Sequence, residues 1–276
     1  MAALAASSLS RGMGTNYHKV APGECDLLES GSAKPSAPAT DFSKGGIETA
    51  NEFQFDATAQ QFTAAARLGF VRKVFGILTA QLVLTCAVSA LFMLNVAVRG
   101  WVLATPSLMM FSFVGSMVTL VLCAMNKDSF PKNLYYLGAF TLFEALSIGV
   151  VCAAYAQRGI GGLVLQAATL TMVTFLSLTA YTMQSGIDFS FMGAGLYSGL
   201  CCMLGYGLIT MLFGFSTGGL YSMFGAILFC GFIIYDVDQT MHKIGVDDYV
   251  MAAINIYLDI INLFLFILQM LSSNDR

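Results

Sequence analysis

A chain of 276 residues that is 57% hydrophobic and only 11% charged departs from the roughly 25% charge of ordinary soluble domains. Its formal net charge of −3 lacks the basic excess that a nucleic-acid partner calls for. What remains is an all-α, polytopic membrane protein, in which Cys25, Cys86, Cys123, Cys152, Cys201, Cys202 and Cys230, without Cys-x-x-Cys spacing or a neighbouring His, read as small buried hydrophobes rather than zinc ligands.

Residues 1–65 are rich in Ala, Ser, Gly and Thr and hold no apolar run long enough to span a bilayer, so they read as a disordered N-terminal tail. The first twenty residues, with Arg11 and Lys19 and no acid before Glu24, have only a faint transit-peptide composition, and without a signal-peptide core the first membrane helix is expected to act as the targeting signal.

Residues 66–272 are expected to form the membrane domain, followed by a short tail at 273–276. About 20 apolar residues cross a bilayer, and seven runs meet that length: Val74–Val98, Val102–Met125, Leu134–Ala156, Gly159–Met183, Phe189–Phe213, Thr217–Met241 and Tyr249–Leu271. They are too long and too continuous for alternating strands. In the fifth, Gly195 and Gly199, with Gly193, Gly205 and Gly207 nearby, suggest a face on which helices approach closely.

Basic residues favour the cytosolic ends of spans. A cytosolic N-terminus places Arg67, Arg72, Lys73, Lys127, Lys132 and Lys243 inside, against Arg99, Arg158 and Arg276 outside. That orientation is the expectation, in a membrane of the endoplasmic reticulum or Golgi, with the mitochondrial inner membrane and plasma membrane as alternatives.

The last run carries the chemistry. Asn255, Asp259, Asn262 and Gln269 return to one side at helical spacing. An ionisable group at a helix centre costs roughly 3 kcal/mol even on the lenient insertion scale, so this stripe should face protein or water, and the last helix should be central in the bundle. Asp236 lies in the sixth run. With a connection of a few residues, Asp236 and Asp259 would lie about 10 Å and about 16 Å from the same membrane face and could meet. Two carboxyls in a low-dielectric site can share one proton and so sense pH, whereas both ionised they offer the hard oxygens that suit Ca²⁺. Asn255, Asn262, Gln239 and Asp238 could extend a hydrogen-bond network or ion path, with Gln239, Thr240 and Lys243 giving it a wet exit. Glu144, flanked by Thr141 and Ser147, is a further candidate. Asp238, Asp247 and Asp248 also read as solvated or helix-capping groups.

The stretch Gly231-Phe-Ile-Ile-Tyr-Asp-Val-Asp-Gln-Thr-Met-His-Lys243, followed by Asp247-Asp-Tyr-Val-Met-Ala-Ala-Ile-Asn-Ile-Tyr-Leu-Asp-Ile-Ile-Asn-Leu-Phe264, resembles the carboxy-terminal signature of the Bax-inhibitor motif family, most of all its Lifeguard branch. Phe70-Val-Arg-Lys-Val-Phe-Gly-Ile-Leu-Thr-Ala-Gln-Leu82 and Phe140-Thr-Leu-Phe-Glu144 support it, and the resemblance covers 66–272. It implies a seven-helix bundle whose last helix is surrounded by the other six, a pH-sensitive Ca²⁺ leak across an internal membrane, and suppression of stress-induced cell death. Its aspartate pair falls on Asp236 and Asp259. A basic latch residue found in some members has no counterpart within the second to fifth spans.

Three other readings stay open: a proton-coupled cation exchanger, a non-conducting scaffold that binds cell-death regulatory membrane proteins, and an intramembrane aspartyl protease. The protease reading suffers because Ile256-Tyr-Leu-Asp259 replaces the Gly-x-Gly-Asp it needs. No cofactor is expected, Ca²⁺ being the permeant or regulatory ion, and membrane lipid is the surrounding partner.

Overall fold

The computed structural model describes residues 45–127, 129–214, 218–245 and 247–274, with side chains from Ala65 onward except at Met211 and Asn274. The described residues form helices only: α1 (Gly45–Leu94), α2 (Val96–Ala104), α3 (Ser107–Met125), α4 (Lys132–Gln157), α5 (Gly161–Ser185), α6 (Met192–Phe213), α7 (Gly219–His242) and α8 (Tyr249–Asn274). Seven are long and apolar enough to cross a membrane, the first of these spans being Ala65–Leu94 within α1. The transit-like stretch and the rest of 1–44 lie outside the described residues.

Three boundaries differ from the sequence reading. Helix α1 begins at Gly45, within the stretch expected as a tail, and no proline interrupts the chain between Pro38 and Pro106. The first span also ends at Leu94 rather than Val98, because Asn95 restarts the chain. Its Oδ1 accepts the N–H groups of Ala97 and Val98 at 3.0 and 3.2 Å, an N-cap that starts the short helix α2. The second span starts at Ser107, after Pro106, rather than at Val102, which belongs to α2. The remaining spans agree with the sequence reading to within three residues, and Gly186, at φ 60°, supplies the left-handed residue that ends α5.

The last helix is central. In α8, 78% of the most apolar window is buried, against 17–44% in the other six spans. Its walls are α1, α4, α5 and α7, whereas α3 packs mainly on α4 and α6 mainly on α7. The bundle is thus an inner ring with two outer helices, rather than one helix enclosed equally by six.

The glycine face of α6 is offset from its expected place. A Cβ on Gly193 would meet the Tyr235 ring at 3.0 Å and one on Gly199 would meet Leu228 at 2.9 Å, whereas Gly195 and Gly205 face open space. Cysteine burial is also uneven: Cys123 and Cys152 are buried as expected, but Cys86, Cys201 and Cys202 are exposed on the outside of the bundle.

Candidate functional site

The connection between α7 and α8 spans only residues 243–248, which makes the two helices antiparallel neighbours, and side chains from elsewhere pin its ends. Arg67 on α1 donates from Nε to the carbonyl of Met241 at 2.6 Å and from Nη1 to that of Ile244 at 2.5 Å. A cation there answers the free carbonyls at the end of α7. Lys127 pairs with Asp248 at 2.8 Å, Lys73 sits 3.2 Å above the Tyr249 ring as a cation–π contact, and Asn133 donates to the Tyr249 hydroxyl at 3.1 Å. Four of the basic residues grouped by the charge count therefore gather at one end of the bundle, with Lys243 bound to Asp188 at 2.9 Å. Outside the spans, Lys243 and Ser190 hold the Asp188 carboxyl below the usual carboxylate range.

Within this seam the structure brings Asp236 and Asp259 together. Asp259 is 3% exposed and the Asp236 side chain is its hydrogen-bonding neighbour. A bond between two carboxyls requires that one of them carry a proton. One turn further toward the basic end stand Thr240, four residues after Asp236 on α7, and Asn255, four residues before Asp259 on α8. Asp259 Oδ2, Asn255 Oδ1 and Thr240 Oγ1 are all buried without a hydrogen-bond partner. Such orphans are uncommon in folded proteins, since each forfeits about 1–3 kcal/mol of solvation. Three of them on two successive turns mark a site that can accept protons, water or a cation.

The other half of the seam is built differently. Phe266 of α8 stacks on Phe229 at 5.7 Å and meets Tyr221 edge-on at 5.8 Å, and Gly225 leaves the room this ring needs, because a Cβ there would run into it. An aromatic clamp thus holds the far ends of α7 and α8, while a polar contact holds the near ends.

The remaining candidates from the sequence scatter. Gln239 turns toward the α5–α6 connection, donating to Ser190 Oγ at 3.2 Å, and Asn262 donates back to the Leu258 carbonyl of its own helix at 2.7 Å. Asp238 is not solvated: it is 1% exposed, accepts the Phe189 N–H at 3.3 Å and faces His242 Nδ1 at 3.0 Å. It ties α7 to the chain entering α6. Glu144 lies within hydrogen-bonding reach of Ser116 on α3 and near Tyr257, on the side of α8 away from Asp236, so it does not join the pair. Thr240 is the member that sequence reasoning placed only in an exit; its spacing of four from Asp236 was the available signal.

As a Ca²⁺ site the constellation is sparse. No group of three or more His, Cys, Asp or Glu converges among the described residues, so an ion would find two carboxyls with the oxygens of Asn255 and Thr240. Ca²⁺ takes six to eight oxygen ligands. The donor set therefore fits a passing, largely hydrated ion better than a resident one.

Comparison with known proteins agrees with the motif reading. A family profile described as inhibitor of apoptosis-promoting Bax1 matches residues 67–276. The chain is 40% identical over 227 residues to protein lifeguard 4 of Mus musculus, covering 82% of this chain and 94% of the mouse protein. It is 39% identical to the Golgi anti-apoptotic protein of Vaccinia virus (strain Lister), with the same coverage. Similarity to Bax inhibitor 1 of Schizosaccharomyces pombe is 32% over 272 residues, covering 96% of this chain and 100% of the yeast protein. With a profile spanning the whole membrane bundle and relatives matched over nearly their full length, the chain belongs to the Bax-inhibitor family that includes the Lifeguard proteins.

Proposed function

We propose that this protein is a pH-sensitive Ca²⁺ leak channel of an internal membrane, the Golgi, and that it restrains stress-induced cell death. The contact between Asp236 and Asp259, buried beside three orphaned oxygens, is the observation that carries the reading. A proton shared by the pair joins the near halves of α7 and α8. When that proton leaves, two like charges face each other at low dielectric, where repulsion is strong, and the polar end can part while the aromatic clamp holds the far end. The exposed oxygens then replace part of the hydration of a passing Ca²⁺. The name of the viral relative, Golgi anti-apoptotic protein, supports the anti-apoptotic role and the Golgi membrane, and the basic end faces the cytosol by the positive-inside tendency.

The test is Ca²⁺ flux into liposomes holding the purified full chain at a series of pH values. A single titrating latch changes its open population by at most about tenfold per pH unit. Asp236→Asn and Asp259→Asn keep a hydrogen-bond donor between the helices but remove the proton the two carboxyls share, so both should flatten the pH dependence of flux. A pH response unchanged from wild type in both variants rules out the latch. Folded protein with no flux above empty liposomes rules out the channel and favours a non-conducting scaffold.

A further inference from the structure

Helices α1 and α5 do not pack closely along their length; the Phe75 and Phe175 rings bridge the gap at 6.5 Å between centroids. Around this bridge the gap is a crevice of about 640 Å³, open toward the bilayer, that passes the two rings and is walled by Phe75, Thr79 and Val83 of α1 and by Met172, Leu176 and Thr179 of α5. That volume lies within the roughly 300–1,000 Å³ of small-ligand sites. The wall residues recur at three- and four-residue steps, so each helix turns a continuous apolar stripe to the gap.

Two polar features break the apolar lining. Arg72 stands at the mouth, is exposed and has no ion-pair or ring partner among the described residues, unlike Lys73 beside it, which rests on the Tyr249 ring. Thr179, 7% exposed, has a buried Oγ1 with no hydrogen-bond partner on the turn of α5 nearest that mouth. From Arg72 to Val83 the crevice runs along α1 for about 16 Å, close to half of the roughly 30 Å hydrocarbon thickness.

We propose that this crevice is a phospholipid site, with the phosphodiester on Arg72 and one acyl chain lying between α1 and α5 in the leaflet on the basic side of the bundle. A cation at headgroup depth above a slot one leaflet deep matches an anion joined to a chain of that length, and Thr179 offers its hydroxyl to the ester oxygens just below the phosphate. One cationic end above an otherwise apolar lining, with no second polar end, suits a lipid rather than a helix from another protein. The assignment is independent of the channel reading.

Native mass spectrometry tests it, using the full chain delipidated in detergent and titrated with palmitoyl-oleoyl-phosphatidylglycerol or with diacylglycerol of the same chains. Wild type should give a saturable one-lipid adduct with the phospholipid, about fivefold weaker with diacylglycerol or in Arg72→Gln, the loss expected for one basic contact near a membrane surface. Leu176→Trp, at a position 58% exposed and therefore tolerant of bulk, should fill the slot and abolish the adduct. Arg158→Gln at the other end of the bundle should match wild type. Equal binding of diacylglycerol and phospholipid by wild type, or an unchanged adduct in either Arg72→Gln or Leu176→Trp, overturns the assignment.

Discussion

Tyr257 and Asp259 stand two residues apart on the same central helix, both buried, yet they meet opposite conditions. Tyr257 is fully enclosed. Its hydroxyl lies 2.8 Å from Thr85 Oγ1 and its ring meets Phe140 edge-on at 6.1 Å, while Thr85 also donates to the Gln81 carbonyl at 2.9 Å. Asp259 has one oxygen engaged with Asp236 and the other with no partner. One side of α8 is thus packed and bonded as a core, and the other leaves polar groups short of partners in a setting where each shortfall is costly. The difference separates the stability of this fold from its activity: α8 is anchored through its Tyr257 side, so the Asp259 side can change protonation without dissolving the bundle.

The largest effect expected on this division is Tyr257→Ala, which empties an enclosed aromatic site and should destabilise by about 3–5 kcal/mol. Tyr257→Phe should cost only about 1 kcal/mol, one hydrogen bond. Thermal unfolding in detergent reads both, and a Tyr257→Ala protein as stable as wild type would break the comparison. Next comes Arg67→Ala, which releases two carbonyls at the end of α7; charged hydrogen bonds contribute about 1.5–3 kcal/mol, and hydrogen exchange around residues 241–245 should rise. Asp236→Asn and Asp259→Asn should move stability less than Tyr257→Ala while flattening the pH response of flux. The reverse order, large unfolding with an intact pH profile, would place the pair in the core instead.

The smallest effect is expected at the surface. Lys243 and Ser190 depress the Asp188 pKa, so the folded value lies below the unfolded value of about 3.9. The contact is therefore present above that unfolded value and is lost as pH falls through the folded one. Because Asp188 is exposed and screened by salt, Asp188→Asn should leave the unfolding temperature at neutral pH unchanged within error, in low or high salt.

Seven apolar stretches, the polar stripe of the last one and the paired aspartates were all legible in the sequence. Span length answers to bilayer thickness, and a charge that lipid cannot solvate must face inward. What the sequence could not settle were relations between helices: that Asp238 is buried against the α6 entry, that Glu144 faces Ser116 instead of the pair, and that the oxygens of Thr240 and Asn255 are buried without a partner. Each depends on how one helix is rotated and shifted against another. Local spacing selects a face but not the neighbour that meets it, and that choice is made by the packing of rings such as Phe266 on Phe229 and by long-range contacts such as Arg67 on α7. The chain by itself determined what must be hidden from lipid; the tertiary structure decided which hidden groups have partners, because partnership requires two helices in register.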